Sequence, residues 1–125
     1  MEHKENSLAD SFRHAIDGIG SVIRRERNMK IHLTVAGLVV IAGFLFRISM
    51  AEWLVCLVFF GLVMGLELMN TALECAIDLV TEDKKPLAKL AKDAAAGGVL
   101  IAAVFAAVSG LMIFVPKAAA LLFGF

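Results

Sequence analysis

The stretch WLVCLVFFGLVMGLELMNTALECAID, residues 53–78, opens as an unbroken apolar run and closes as a charged one. From Trp53 to Leu66 it carries no acid or base. Glu67, Asn70, Glu74 and Asp78 then follow at steps of three, four and four. A soluble helix alternates polar and apolar faces along its whole length, whereas a run this apolar needs an apolar solvent. Trp53 stands where a membrane span begins, at the interface. About 20 residues cross a bilayer, so a span from Trp53 is used up near Leu73. Glu67 and Asn70 therefore fall inside the inner leaflet, Glu74 at its boundary and Asp78 beyond it. At 100° per residue the four side chains share one face, within roughly 80° of arc and about 16 Å of axis.

Outward from this helix the chain repeats the pattern. Of its 125 residues 60% are hydrophobic, and mean hydropathy is +0.84. The residues before the helix read as a first span, 31–47, with Lys30 and Arg47 at its ends to snorkel toward water. Residues 47–52 form a polar turn. The charged loop from Thr81 ends at Pro86, well placed to begin a helix. The third span then runs over 87–115, its first turns amphipathic, and Pro116 with Lys117 is expected to stop it. The apolar tail behind Lys117 is expected to graze the outer surface. Ala94, Gly98, Ala102, Ala106 and Gly110 recur every fourth residue of this span, a small-residue ridge for close helix packing in lipid.

Residues 7–27 differ. Leu8, Phe12, Ala15, Ile16, Ile19, Val22 and Ile23 recur at helical steps, with Asp10, Arg13, Asp17 and Arg24 opposite. This amphipathic helix suits a position flat on the membrane surface. The expected fold is an all-α integral membrane protein, one domain over residues 1–125, with a surface helix and transmembrane helices over 31–47, 53–80 and 87–115. Residues 1–7 are polar and nothing apolar follows for two dozen residues, so the start reads as cytosolic and uncleaved. Cys56 and Cys75, far apart in apolar runs, read as reduced packing residues.

Orientation follows from the bases. Lys4, Arg13, Arg24, Arg25, Arg27, Lys30, Lys84, Lys85, Lys89 and Lys92 fall on the side of the N-terminus, and only Arg47 and Lys117 on the other. The positive-inside rule places the N-terminus in the cytoplasm and the C-terminus outside. The 12 acids and 12 bases leave no net charge, which argues against nucleic acid as a partner.

Carboxylates at membrane depth are costly and functional by default. Acids one or two turns apart also repel unless a cation or a proton lies between them. Carboxylate and carboxamide oxygens are the ligands that suit Mg²⁺, whose shell is often completed by substrate phosphates. Two further polar clusters end on the same side: Glu26, Arg27, Asn28, Lys30 and His32 before the first span, and Lys84, Lys85, Lys89, Lys92 and Asp93 before the third. Acids for a metal and lysines for polyphosphate are the parts of a phosphoryl-transfer site. No Walker loop is present. The catalyst would be built from helices, with its acceptor arriving from the membrane.

The segment ELMNTALECAID, residues 67–78, resembles the signature of the small bacterial diacylglycerol kinase and undecaprenol kinase family. AKDAAAG, residues 91–97, resembles that family's second motif at its expected distance. ERNMKIH, residues 26–32, and PLAKLAKD, residues 86–93, are similar to the undecaprenol kinase branch. The resemblance implies a homotrimer in the bacterial cytoplasmic membrane, with active sites shared between neighbours. It implies ATP as co-substrate with Mg²⁺ and a membrane lipid alcohol as acceptor, undecaprenol in preference to diacylglycerol. By motif, Glu67 matches the catalytic base that meets the lipid hydroxyl. Glu26 and Glu74 match the metal-binding acids that also contact ATP, and Lys92 and Asp93 match nucleotide contacts. Asp83, Lys84 and Lys85 fall where the family touches ATP. Asn70 and Asp78 match polar site residues, with Asn28 beside them.

Two other classes compete. Intramembrane Glu residues also serve ion or proton pathways, but a conduit should continue across the membrane, and 31–46, 53–66 and 94–115 carry no Asp, Glu, Lys or Arg. A structural membrane subunit would use the Ala/Gly ridge and leave the buried acids without a cause.

Overall fold

A computed structural model of the chain describes residues 7–124. Residues 1–6, including Lys4 and most of the polar start, lie outside the described residues. Four helices follow in order: α1, Leu8–Arg25; α2, Arg27–Leu45; α3, Met50–Val80; and α4, Pro86–Phe123. Among the described residues there is no strand. α2, α3 and α4 are each long and apolar enough to cross a membrane.

Local chemistry sets each boundary. Ser7 caps α1 by accepting the Asp10 N–H on its Oγ at 3.2 Å. α1 ends at Arg25, short of the expected residue 27, because Glu26 turns extended, with φ −101° and ψ 117°. That one residue closes α1 through its N–H to the Val22 carbonyl at 2.8 Å and opens α2 through its carbonyl, which accepts the Lys30 N–H at 3.4 Å. α2 thus begins at Arg27, four residues before the apolar run.

The α2–α3 turn is tight. Arg47 adopts a left-handed φ of 52°, its N–H reaches the Phe44 carbonyl at 3.4 Å, and the Ile48 N–H reaches back to Gly43 at 3.1 Å. This pair of bonds is a Schellman closure, which glycine favours and arginine adopts at a cost of about 1–2 kcal/mol. α3 then starts with a reciprocal capping box: Glu52 N–H to Ser49 Oγ at 3.2 Å, and Ser49 N–H to Glu52 Oε1 at 3.0 Å. Gly43 is required by packing. A Cβ there would stand 2.5 Å from Trp53 Cη2 and 2.7 Å from its Cζ2.

Pro116 does not end the last helix, contrary to the sequence expectation. α4 runs through it to Phe123 and closes on Gly124 at φ 72°. A proline removes one N–H from the ladder, and within a membrane protein the loss is tolerated inside a long helix. Lys117 is not a free terminator either, because its Nζ lies 3.1 Å from Glu52 Oε1 and ties α4 to the head of α3.

α3 is the central element, packed chiefly on α4 and next on α2. The buried side chains are few: Met29, Ile48, Cys56, Val63, Val99 and Ala102 form the apolar core, with Glu67, Asn70 and Thr71 among them. Leu57, Phe105, Leu111 and many other large apolar residues stay exposed, the arrangement expected where lipid or another subunit is the solvent. α1 has no buried residue. Cys56 packs as expected, whereas Cys75 is exposed; both are free thiols. Of the ridge residues Ala102 is buried, yet a Cβ on Gly98 or Gly110 would meet nothing within 4 Å. Contacts inside one subunit therefore give no reason for glycine at those two positions.

Candidate active site

The polar stripe of α3 faces inward. Glu67 is 1% exposed, Asn70 7% and Thr71 5%. Their neighbours come from the two flanking helices. Asn28, Ile31 and His32 of α2, Glu67 and Asn70 of α3, and Ala96, Val99, Leu100 and Ala103 of α4 surround a cavity of about 230 Å³. α4 contributes only small or apolar residues to it, so the polar character comes from α2 and α3.

Glu67 Oε2, Asn70 Oδ1 and Thr71 Oγ1 are buried and accept no hydrogen bond from the described residues. Leaving a buried polar group unsatisfied costs about 1–3 kcal/mol, more when it is charged. Three such atoms on adjoining side chains mark a place built to receive a donor. The side chain closest in charge is His32, whose Nε2 lies 3.7 Å from Glu67 Oε2. Glu26 and Glu74 are the other charged groups acting on Glu67. Glu26 is brought there by the extended break between α1 and α2, where it makes no side-chain capping bond. Glu74, one turn beyond Asn70, accepts its Nδ2 in a long 3.5 Å contact.

A second, more exposed group adjoins the first. Lys92 Nζ of α4 lies 2.5 Å from Asp78 Oδ1 of α3, and Glu74 also acts on Lys92. The expected site residues thus divide. Asn28, Glu67 and Asn70 line the cavity, Glu26 and Glu74 lie close enough to act on Glu67, and Asp78 with Lys92 sits beyond Glu74. Asp93 turns away, engaged with Lys89 at 2.5 Å on an exposed face. Asp83, Lys84 and Lys85 are exposed in the loop, where Asp83 offers backbone bonds to Thr81 and Lys85. Their side chains make no ion pair or hydrogen bond with either group.

The sequence reading passed over two residues. Thr71 is uncharged and gave no electrostatic signal. His32 was placed in the basic cluster before the first span, although it lies inside the 31–47 segment and one turn from Asn28, where a titratable residue signals function.

A larger apolar cleft, about 550 Å³, opens beside the polar cavity. It shares His32 and Ala103 with it and continues along Val39, Phe59, Phe60 and Phe114. A polar pocket with an apolar extension suits a molecule with a polar head and a hydrocarbon body.

Comparison with known proteins points the same way. The sequence profile of the prokaryotic diacylglycerol kinase family matches residues 13–114. The chain is 46% identical over 112 residues to the undecaprenol kinase of Bacillus subtilis (strain 168), covering 90% of this chain and 91% of that protein. It is 40% identical over 111 residues to a diacylglycerol kinase of Synechocystis, covering 88% of this chain and 63% of that one. With its three apolar helices and a buried Glu67 in a polar cavity beside an apolar cleft, the chain belongs to the prokaryotic diacylglycerol kinase family and is a lipid kinase.

Proposed function

We propose that this kinase transfers the γ-phosphoryl group of ATP to the hydroxyl of undecaprenol, with Glu67 as general base. The observation that carries the reading is the buried Glu67 carboxylate, with an oxygen lacking any hydrogen-bond donor, in a polar cavity that shares His32 and Ala103 with an apolar cleft. The lipid hydroxyl supplies the missing donor, and its chain follows the cleft into the bilayer. As the lipid oxygen attacks the γ-phosphorus, its proton passes to Glu67. The new O–P bond forms while the bond to the bridging β-phosphate oxygen breaks, and ADP leaves. General-base assistance of this kind is worth about 10²–10⁴-fold.

Glu26 and Glu74 are the residues for Mg²⁺. Among the described residues no three His, Cys, Asp or Glu side chains converge to hold a cation unaided. That fits an ion that takes one or two carboxylates and completes its shell with water and phosphate oxygens. Glu26 makes no capping bond and Asn70 Oδ1 has no donor, so hard oxygen ligands stand ready beside Glu74. When bound, Mg²⁺ would neutralise ATP charge and orient its phosphates. Lys92 is the nucleotide-binding cation that Asp78 holds in place; Asp83, Lys84, Lys85 and Asp93 contact ATP from the loop and the first turns of α4.

The same reading makes the enzyme a homotrimer of the bacterial cytoplasmic membrane, with the N-terminus inside, the C-terminus outside and α1 flat on the inner surface. Support comes from the exposed apolar side chains of α1, from the bias of the bases and from the open Gly98 and Gly110. The acceptor preference rests on the 46% identity to an undecaprenol kinase. Purified protein assayed on undecaprenol and diacylglycerol side by side tests it. Higher kcat/KM for diacylglycerol would overturn the choice of acceptor.

A further inference from the structure

Glu67 has a problem that its burial creates. After each transfer it holds the proton of the lipid hydroxyl, and at 1% exposure it has no contact with bulk water through which to lose it. The carboxylate must be emptied before the next turnover.

We infer that His32 empties it: the imidazole Nε2, 3.7 Å from Glu67 Oε2, takes the proton and passes it to cytoplasmic water. This rests on Glu67 being the base. In the step the Glu67 O–H bond breaks and an Nε2–H bond forms, leaving carboxylate and imidazolium. The imidazolium then loses its proton to solvent and regenerates the neutral ring. No redox partner or further reactant is needed.

The placement suits a relay. The His32 side chain is 20% exposed against 2% for that of Glu67, so it has open surface that the buried acid lacks. Asn28, on the same face of α2 and one turn nearer its N-terminal end, is exposed. The gap of 3.7 Å is too long for a hydrogen bond and short enough for one water or a small side-chain movement to close. Histidine is the side chain whose protonation changes most readily near neutral pH.

The charged surroundings leave His32 few rivals. From α3 it faces Glu67, with Glu74 further along the same helix, and Glu26 stands at the head of its own helix. α4 lines the cavity with Ala96, Val99, Leu100 and Ala103 alone, and α1 lines none of it. Lys92, the closest α4 cation in sequence to that lining, is engaged with Asp78. His32 acts on the reaction through Glu67 and is a positioning and relay residue.

The test uses the full-length protein in liposomes containing undecaprenol, with Mg²⁺ and ATP. His32→Gln and His32→Ala should lower kcat roughly 10²-fold, the low end of general acid–base effects, while KM for ATP stays unchanged. The dependence of kcat on pH should differ between wild type and His32→Gln. Added imidazole should restore turnover to His32→Ala in a saturable way, a response that a purely structural role would not give. Size-exclusion profiles matching wild type confirm that both variants are folded, and Glu67→Gln runs in parallel. An inactive Glu67→Gln beside a His32→Gln of wild-type kcat and pH profile overturns the relay alone. So does a folded, slow His32→Ala that ignores imidazole. A fully active Glu67→Gln removes the base itself, and the relay with it.

Discussion

Lys92 of α4 and Asp78 of α3 form an ion pair, Nζ to Oδ1 at 2.5 Å, that closes the charged loop of residues 81–85 at its base. Both side chains are well exposed, at 38% and 59%, so water screens the pair and it adds little to stability. In the proposed site its value is in holding a cation beside Glu74. Lys92→Ala should therefore raise KM for ATP markedly and shift the thermal midpoint hardly at all. Asp78→Asn, which frees Lys92 without removing it, should raise KM less. Equal ATP affinity in wild type and Lys92→Ala would remove this lysine from the nucleotide site.

Glu67→Gln preserves volume and removes the basic oxygen. Turnover should fall by about 10²–10⁴-fold with nucleotide binding retained, measured by single-turnover kinetics and by titration with ATP. If sites are shared between subunits, re-assembled mixtures of Glu67→Gln with Lys92→Ala should regain part of the activity that each parent lacks. Mixtures as inactive as the parents would assign a whole site to each subunit.

Glu26 and Glu74 lie on different helices and both act on Glu67. Losing either carboxylate would leave the metal under-coordinated and the ATP charge less neutralised. Glu26→Gln and Glu74→Gln should each move half-maximal activity to higher Mg²⁺ concentration. The prediction fails if the Mg²⁺ dependence of both variants overlays that of wild type.

Gly43 and Trp53 make a packing test remote from the chemistry. An alanine methyl at residue 43 would press against the indole, whose Cη2 is 2.5 Å from the Cβ position. Overpacking of this kind costs about 1–3 kcal/mol. Gly43→Ala should lower the thermal midpoint and, because Trp53 is the one tryptophan of the chain, change its fluorescence. Adding Trp53→Leu should restore most of the loss. A Gly43→Ala protein with an unchanged midpoint would mean that the α2–α3 corner yields at no cost.

The three spans were legible because a membrane helix is written locally, as a run of apolar residues about as long as the bilayer is thick. The arc joining Glu67, Asn70 and Glu74 was legible for a similar reason, since one helix has one period. The end of α4 was misread. Proline breaks helices in water, where freed backbone groups find solvent, but in an apolar surrounding a helix is held by the lack of any alternative partner. Asp93 was grouped with Lys92 by motif, and adjacent helical residues point about 100° apart; one turns to Asp78 and the other to Lys89.

By itself, then, the chain's order of residues determined the helices, their apolar lengths and the acid stripe. Each of these depends on neighbours within a few turns. Only the tertiary structure decided that His32 of α2 stands 3.7 Å from Glu67 of α3, that Lys92 meets Asp78 across the loop and that Gly43 makes room for Trp53. Those meetings depend on how far each helix is rotated about its axis and where it crosses the next. Local periodicity states which face a residue occupies, but the packing of α2 and α4 on α3 chooses what that face touches.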